Sequence, residues 1–312
     1  MARSVTFSAV ITNYNYRDFV SEAVDSALAQ TRQPLEVLVV DDGSTDGSGD
    51  LVEQRHGSDP RVRLIRCENG GQIAAFATGV RQARGDVVAF LDADDFWEPE
   101  YLAQVGRVYA DFPDVGFVYT NLRYFGNLEG CFSKDGENRD LGLSVLLGAF
   151  RTRWQATATS AISLDRQVAR DLLELPEELI REWRTCADTC LAYGADIFGV
   201  HKFYLAEPLV RYRAHGTNMW LGRKDGTIPA LKFRIRVERM RSHYRQRMGI
   251  TDEWLRHAKY EFRTKARPTS QNLRDYLFLV GLSPLPWGKR LAHRFALWRH
   301  FWTSRRARPP QS

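Results

Sequence analysis

Four short apolar runs occupy the first 95 residues, each closing on a polar cluster and each followed by a segment of different periodicity. Phe7–Thr12 leads into Asn13-Tyr-Asn-Tyr16, and Leu35–Val40 into Asp41-Asp-Gly-Ser-Thr-Asp46. Val62–Arg66 precedes Asn69-Gly-Gly71, and Val87–Leu91 runs into Asp92-Ala-Asp-Asp95. Runs this short, rich in Val, Ile and Leu, read as strands buried on both faces. The intervening stretches, about 18–30, 46–56 and 72–84, carry the spacing of helices, the last closed by Gly85. Strands joined through helices pair in parallel, and their carboxyl ends share one rim. The predicted fold class is therefore α/β, with Thr12–Tyr14, Asp41–Ser44 and Asp92–Asp95 converging on that rim.

The rest of the chain is less periodic. Val115–Thr120 reads as a strand, 125–136 as a Gly-containing loop, 141–150 and 177–193 as helices, and 207–218 as a strand opening into a loop. From about Pro229 the pattern is helical and basic, broken by Pro268, Pro284 and Pro286. Charge divides the chain at the same place. Residues 1–222 hold 22 Lys and Arg against 32 Asp and Glu, whereas residues 223–312 hold 22 against 6. This predicts an α/β domain over 1–222 and a basic, aromatic-rich helical segment over 223–312. With 44% hydrophobic and 26% charged residues the chain is an ordinary globular protein, not a disordered or fibrous one.

The amino terminus lacks the charged and apolar regions of a secretory signal, and nowhere do about 18 apolar residues run together. Cys67, Cys131, Cys186 and Cys190 form no Cys-x-x-Cys and have no clustered His, which suits a reducing cytoplasm. Cys186 and Cys190, four apart, share a helix face and read as buried thiols, since a metal or redox site would need further ligands.

Asp92, Asp94 and Asp95 crowd three carboxylates into four positions. Two readings stand: hard oxygen ligands for Mg²⁺ or Mn²⁺ bridging to a diphosphate, or a solvated acidic turn capping the helix that begins near Pro99. Asp41 and Asp42 likewise serve either a ligand or a turn that caps the next helix, and Gly70-Gly71 either a close-approaching anion or simply a turn.

Taken together, Ala9-Val-Ile-Thr-Asn-Tyr-Asn15, Val39-Val-Asp-Asp-Gly-Ser-Thr-Asp46, Asn69-Gly-Gly-Gln72 and Phe90-Leu-Asp-Ala-Asp-Asp95 resemble, in order and spacing, family 2 glycosyltransferases. The likeness is strong over about 5–110 and looser over 150–218. It implies a GT-A fold, that is, a Rossmann-like, mostly parallel central sheet with flanking helices. It also implies inverting transfer of a sugar from a nucleotide-sugar donor, UDP-linked by preference, to a saccharide or lipid-linked saccharide hydroxyl in cell-surface polysaccharide or glycolipid assembly. By position, Thr12, Asn13 and Tyr14 fall at the nucleotide, with the Tyr14 ring offering stacking. Asp42 matches the carboxylate that accepts from the base, with Asp41 beside it. Asn69 and Gln72 fall at the diphosphate, Asp92 and Asp94 at the donor, and Asp94, Asp95 and His215 at the metal.

Asp188 is the candidate base, although Ala187 stands where the family commonly has a further acid, so one carboxylate must serve alone; the other reading is an exposed helix Asp. Tyr212-Arg-Ala-His-Gly-Thr-Asn218 resembles the element that follows the base, and Arg211 and Arg213 are candidates to bring positive charge to the leaving group. Thr157–Ala161 and Trp154 fall on the acceptor side. Arg81 and Arg84, late in their helix, complement its dipole and are not read as site residues.

Two other functions deserve weighing. A sugar-1-phosphate nucleotidyltransferase would show a Gly-rich loop with a Lys after the first strand, where this chain has Thr12-Asn-Tyr-Asn15. A non-catalytic adaptor would act through the tail, where aromatic and basic residues interleave over 272–310. That interleaving suits either peripheral contact with the inner face of a membrane or packing on the catalytic domain. Nucleic acid is not expected, since no binding module accompanies the charge.

Overall fold

The computed structural model describes residues 4–215 and 226–306. Its first half follows the alternation in the sequence: β1 (Phe7–Asn13), α1 (Val20–Leu28), β2 (Glu36–Asp41), α2 (Ser48–His56), β3 (Val62–Arg66), α3 (Gln72–Gln82) and β4 (Val87–Asp92). These four strands lie parallel in the order β3-β2-β1-β4. Successive side chains point to opposite faces of a strand. Accordingly Val10, Leu38, Val40, Val88 and Phe90 enter the core on one side of the sheet with α3. Ala9, Ile11, Val37, Val39, Ala89 and Leu91 enter the other, with α1 and α2. Gly79 of α3 has a backbone reason: a Cβ there would stand 2.4 Å from Val10 Cγ1, so only glycine lets the helix lie this close on β1.

Past β4 come β5 (Phe96–Trp97), α4 (Tyr101–Asp111), β6 (Val115–Gly126), β7 (Gly130–Cys131), β8 (Arg139–Gly142), α5 (Val145–Phe150) and β9 (Ile162–Asp165). They are followed by α6 (Arg166–Leu173), α7 (Glu177–Glu182), α8 (Ala187–Ile197) and β10 (His201–Ala214). Here the sheet stops being parallel. β9 runs antiparallel to both β4 and β6, β5 and β8 run antiparallel to β10, and only β6 and β10 pair in parallel. The sheet as a whole is therefore mixed, not mostly parallel as expected. The antiparallel members β5, β7, β8 and β9 are two to four residues long, and β7 folds straight back on β6 through a connection too short for the crossover a parallel partner needs.

The expected helix over 177–193 is two helices. Between α7 and α8, Trp183 is fully buried and Cys186 takes a left-handed conformation at φ 65°. Arg184 turns its carbonyl onto the backbone N–H of Gln72 at 2.8 Å. Tertiary docking thus interrupts a segment whose local pattern reads as continuous.

The helical carboxyl-terminal part consists of α9 (Thr227–Arg247), α10 (Ala258–Arg263), α11 (Ser270–Leu282) and α12 (Trp287–Arg306). α9 inserts Val237, Met240 and Tyr244 into the same core as α3 and α8. α10, α11 and α12 build a third core with Leu146 and Leu147 of α5. No helix among the described residues is long and apolar enough to cross a membrane.

Candidate active site

Because β1, β2 and β4 are parallel and in register, Asn13 lies beside Asp41, and Thr12 beside Asp92, at one rim of the sheet. A cleft of about 1220 Å³ opens over that rim. Thr12, Asn13, Tyr14, Asp42, Asn69, Gln72, Asp92, Asp94 and Asp188 all line it, so four separate sequence motifs and α8 meet in one hollow.

The two aspartates ending β2 divide their work. Asp41 is buried beneath the rim, where Oδ1 accepts from Asn13 Nδ2 at 3.0 Å and from the Ser44 hydroxyl. Asn13 Nδ2 also donates to Ser48 Oγ at 2.7 Å, so this pair ties the loops after β1 and β2 together. Asp42 faces the cleft. Its Oδ1 accepts from Gly70 N and its Oδ2 from Gly71 N, both at 2.8 Å, which holds the Asn69–Gln72 loop in place. Gly71, at φ 89°, passes so near Arg184 that a Cβ would lie 2.6 Å from its Cα.

The acidic cluster after β4 is likewise divided. Asp95 is buried, with Oδ2 accepting from Ser160 Oγ at 2.6 Å and Oδ1 from Arg213 N at 2.9 Å. Asp94 turns to His215, Oδ2 to Nε2 at 2.9 Å, and the imidazole stacks on Phe19 with centroids 5.7 Å apart. Asp92 Oδ1 accepts from Gln72 Nε2 at 2.7 Å, while Gln72 Oε1 accepts from Ala187 N at 3.0 Å. Gln72 thereby bridges the acidic loop to the first turn of α8, which carries Asp188.

Crowding and burial set the charge. Burial, reinforced by Asp94, pushes Asp92 up to about 7. Asp95 is raised well above the carboxylate range by burial, then by Asp94 and Asp92. Burial lifts Asp188 to about 6, and Thr189 N, donating to Oδ1 at 2.7 Å, counteracts part of that rise.

Arg211 pairs with Glu98 at 2.5 Å, and Arg213 pairs with Glu22 while its guanidinium lies over Phe19 and Phe125. Neither is among the residues lining the cleft. Gly216, Thr217 and Asn218, the end of the motif that contains His215, lie outside the described residues. Trp154 and Thr157–Thr159 also line the cleft, with Trp154 edge-on to Tyr193.

The Glycosyl transferase family 2 model matches residues 8–161. An uncharacterized glycosyltransferase of Nostoc sp. is 34% identical over 223 residues, covering 70% of this chain and 68% of the relative. The chain belongs to glycosyl transferase family 2. Its activity is accordingly the transfer of a sugar from a nucleotide-sugar donor. In fold, this family 2 enzyme is similar to Staphylococcus aureus TarS 1-349 solved with UDP, with a TM-score of 0.56 at 17% identity over 98% of this chain and 93% of that one. It is also similar to the mannosyltransferase PcManGT of Pyrobaculum calidifontis solved with GDP-Man and Mn²⁺, with a TM-score of 0.50 at 16% identity over 96% and 88%.

Among the described residues of this glycosyltransferase, no three His, Cys, Asp or Glu side chains converge as a complete metal cage. Asp94 and His215, paired at 2.9 Å, present an oxygen and a nitrogen of the kind that could hold Mg²⁺ or Mn²⁺. Burial and crowding oppose ionisation of Asp92 and Asp95, and a nearby cation would favour it. Motif reading did not single out Tyr16, Tyr124, Phe132, Arg184, Tyr193, Phe233, Arg234 and Glu238, which also line the cleft. Only Arg184, four residues before Asp188, carried a signal, as a basic residue beside the candidate base. It donates to Asn69 O at 3.3 Å and to the Asn69 side chain.

Proposed function

We propose that this chain is an inverting, metal-dependent hexosyltransferase with a GT-A fold, built from a catalytic domain over 1–222 and the basic helical segment 223–312. It passes a sugar from a UDP-sugar to a hydroxyl of a saccharide or lipid-linked saccharide in cell-surface polysaccharide or glycolipid assembly. The observation that carries this reading is the convergence of Asp42, Asp94 and Asp188 on one cleft, with His215 bonded to Asp94 from behind the lining.

In this mechanism Tyr14, half exposed on the rim, stacks on the base, and Thr12 and Asp42 contact the nucleoside. Asn69, Gln72 and Arg184 flank the diphosphate at the amino terminus of α3, where backbone N–H groups favour an anion. Asp94 and His215 would hold a divalent cation, which would supply Lewis-acid stabilisation of the leaving nucleoside diphosphate. Asp95 acts beneath them, its carboxylate tying Ser160 to Arg213 so that Asp94 keeps its orientation. Asp188, with Oδ1 held by Thr189, takes the acceptor proton on Oδ2. The acceptor oxygen then bonds to the anomeric carbon as the bond from that carbon to the diphosphate breaks on the opposite face. A base lifted to about 6 is poised for this near neutral pH. Trp154 and Tyr193 offer ring faces to an acceptor sugar.

The test is release of nucleoside diphosphate by the purified chain across a panel of nucleotide sugars, with Mn²⁺, with Mg²⁺ and with chelator. Metal-dependent turnover of one donor, abolished by Asp94→Ala, is expected. Turnover unaffected by chelator would overturn the metal assignment, and failure of every donor to bind would overturn the catalytic reading.

A further inference from the structure

α12 keeps Leu297 and Phe301 in the third core, but leaves Trp287, Leu291, Phe295, Trp298 and Trp302 in solvent, 45–77% exposed. At 3.6 residues per turn these five fall within an arc of about 80°. They form one continuous stripe on a helix of 20 residues, roughly 30 Å long. Three of the five are tryptophans, the side chain enriched where a bilayer meets water.

Charge follows the same helix. α12 carries Lys289, Arg290, Arg294, Arg299, Arg305 and Arg306 and no acidic residue. By helical geometry Arg294 borders one side of the stripe and Arg299 the other, while Arg305 lies at its carboxyl-terminal end. The helix is thus not split into a charged half and an apolar half. Rings and guanidinium groups share one face, which matches headgroup depth, where rings enter the acyl boundary and arginines meet phosphate.

We propose that this face of α12 lies on an anionic lipid bilayer surface. The alternative occupant, a second copy of the chain, is disfavoured by charge: pairing the stripe with itself would bring Arg294 and Arg299 against the same residues with no carboxylate on either helix. On α11, which shares the third core with α12, Phe278 and Leu282 are likewise 46% and 53% exposed. Arg151 covers the Phe278 ring at 4.4 Å, and the next residue, Thr152, lines the cleft. A bilayer that reaches Phe278 would present a lipid-linked acceptor beside the cleft wall that Thr152 lines. That last consequence rests on the acceptor proposed above; the lipid contact rests on α12 alone.

Flotation of the full chain with vesicles tests this, comparing phosphatidylcholine alone with phosphatidylcholine containing one third phosphatidylglycerol. The chain is expected to float with the anionic vesicles, to be released by salt, and to leave neutral vesicles largely unbound. F295S/W298S and R294E/R299E should each weaken partitioning by on the order of tenfold or more. Both should leave donor hydrolysis in lipid-free buffer unchanged, which shows the variants are folded. Flotation equal in variants and parent, or no flotation of an active chain, would overturn the proposal. A dimer of the free chain that F295S/W298S disperses would assign the face to a second copy instead.

Discussion

Asp188 sits one residue inside the amino terminus of α8 with one carboxylate oxygen committed to Thr189, and burial moves its titration to about 6. A base is competent when deprotonated, so kcat/KM should rise with pH through an apparent pKa near 6 and level above it. Asp188→Asn should lower kcat by about 10²–10⁴ with little change in donor affinity, and should remove that limb from a pH–rate profile. Gln72 acts at one remove, since it donates to Asp92 and accepts from Ala187. Gln72→Ala breaks both links, and the expected result is a loss in kcat of about tenfold to a hundredfold, larger than the change in KM, read by steady-state kinetics. None of this coupling is visible in sequence. Gln72 and Ala187 stand 115 residues apart and their bond passes through a backbone N–H, which any residue except proline supplies.

At the scale of elements, the site depends on the loop between β3 and α3 being pinned from both sides. Asp42 grips Gly70 and Gly71 from the loop just after β2, and the segment before α8 packs against Gly71 and bonds the Gln72 N–H. Removing the carboxylate strands two backbone donors in a cleft. Asp42→Ala should therefore cost about 2–4 kcal/mol of stability by denaturant unfolding, and should weaken donor binding measured by calorimetry. The four motif-bearing loops were legible because each follows an apolar run, and β1 to β4 appear within a residue or two of their predicted bounds. The break between α7 and α8 was not legible. The local pattern from Glu177 to Tyr193 is helical throughout, and the break comes with tertiary contacts: Arg184 against the Gly71 turn, and Trp183 buried against Phe233 and Arg236 of α9.

For the molecule as a whole, buried charge joins the helical part to the sheet. Asp275 of α11, 1% exposed, accepts from Arg151 Nη2 at 3.0 Å and from Arg153 Nε at 2.8 Å, just beyond α5. Replacing both arginines with alanine leaves a buried carboxylate without its cations, at a cost of about 3–5 kcal/mol. Hydrogen exchange should then report lost protection across α10 to α12 before the sheet. Lys265 likewise reaches the Leu141 and Leu143 carbonyls, and Glu261 the Leu146 N–H, so the basic segment is bound to the enzyme at several points along 139–153. The sequence by itself determined the parallel half of the sheet, the rim on which the motifs meet, the family, and the sign of charge on each part, because periodicity and composition are local properties of the chain. Tertiary structure alone decided which carboxylates face the cleft and which are buried as props. It also decided that Arg211 and Arg213 brace the walls, and that α12 packs one face while leaving its tryptophans outside. Those outcomes turn on contacts between residues tens to hundreds of positions apart, where the same side chain serves as ligand or as support according to what lies opposite it.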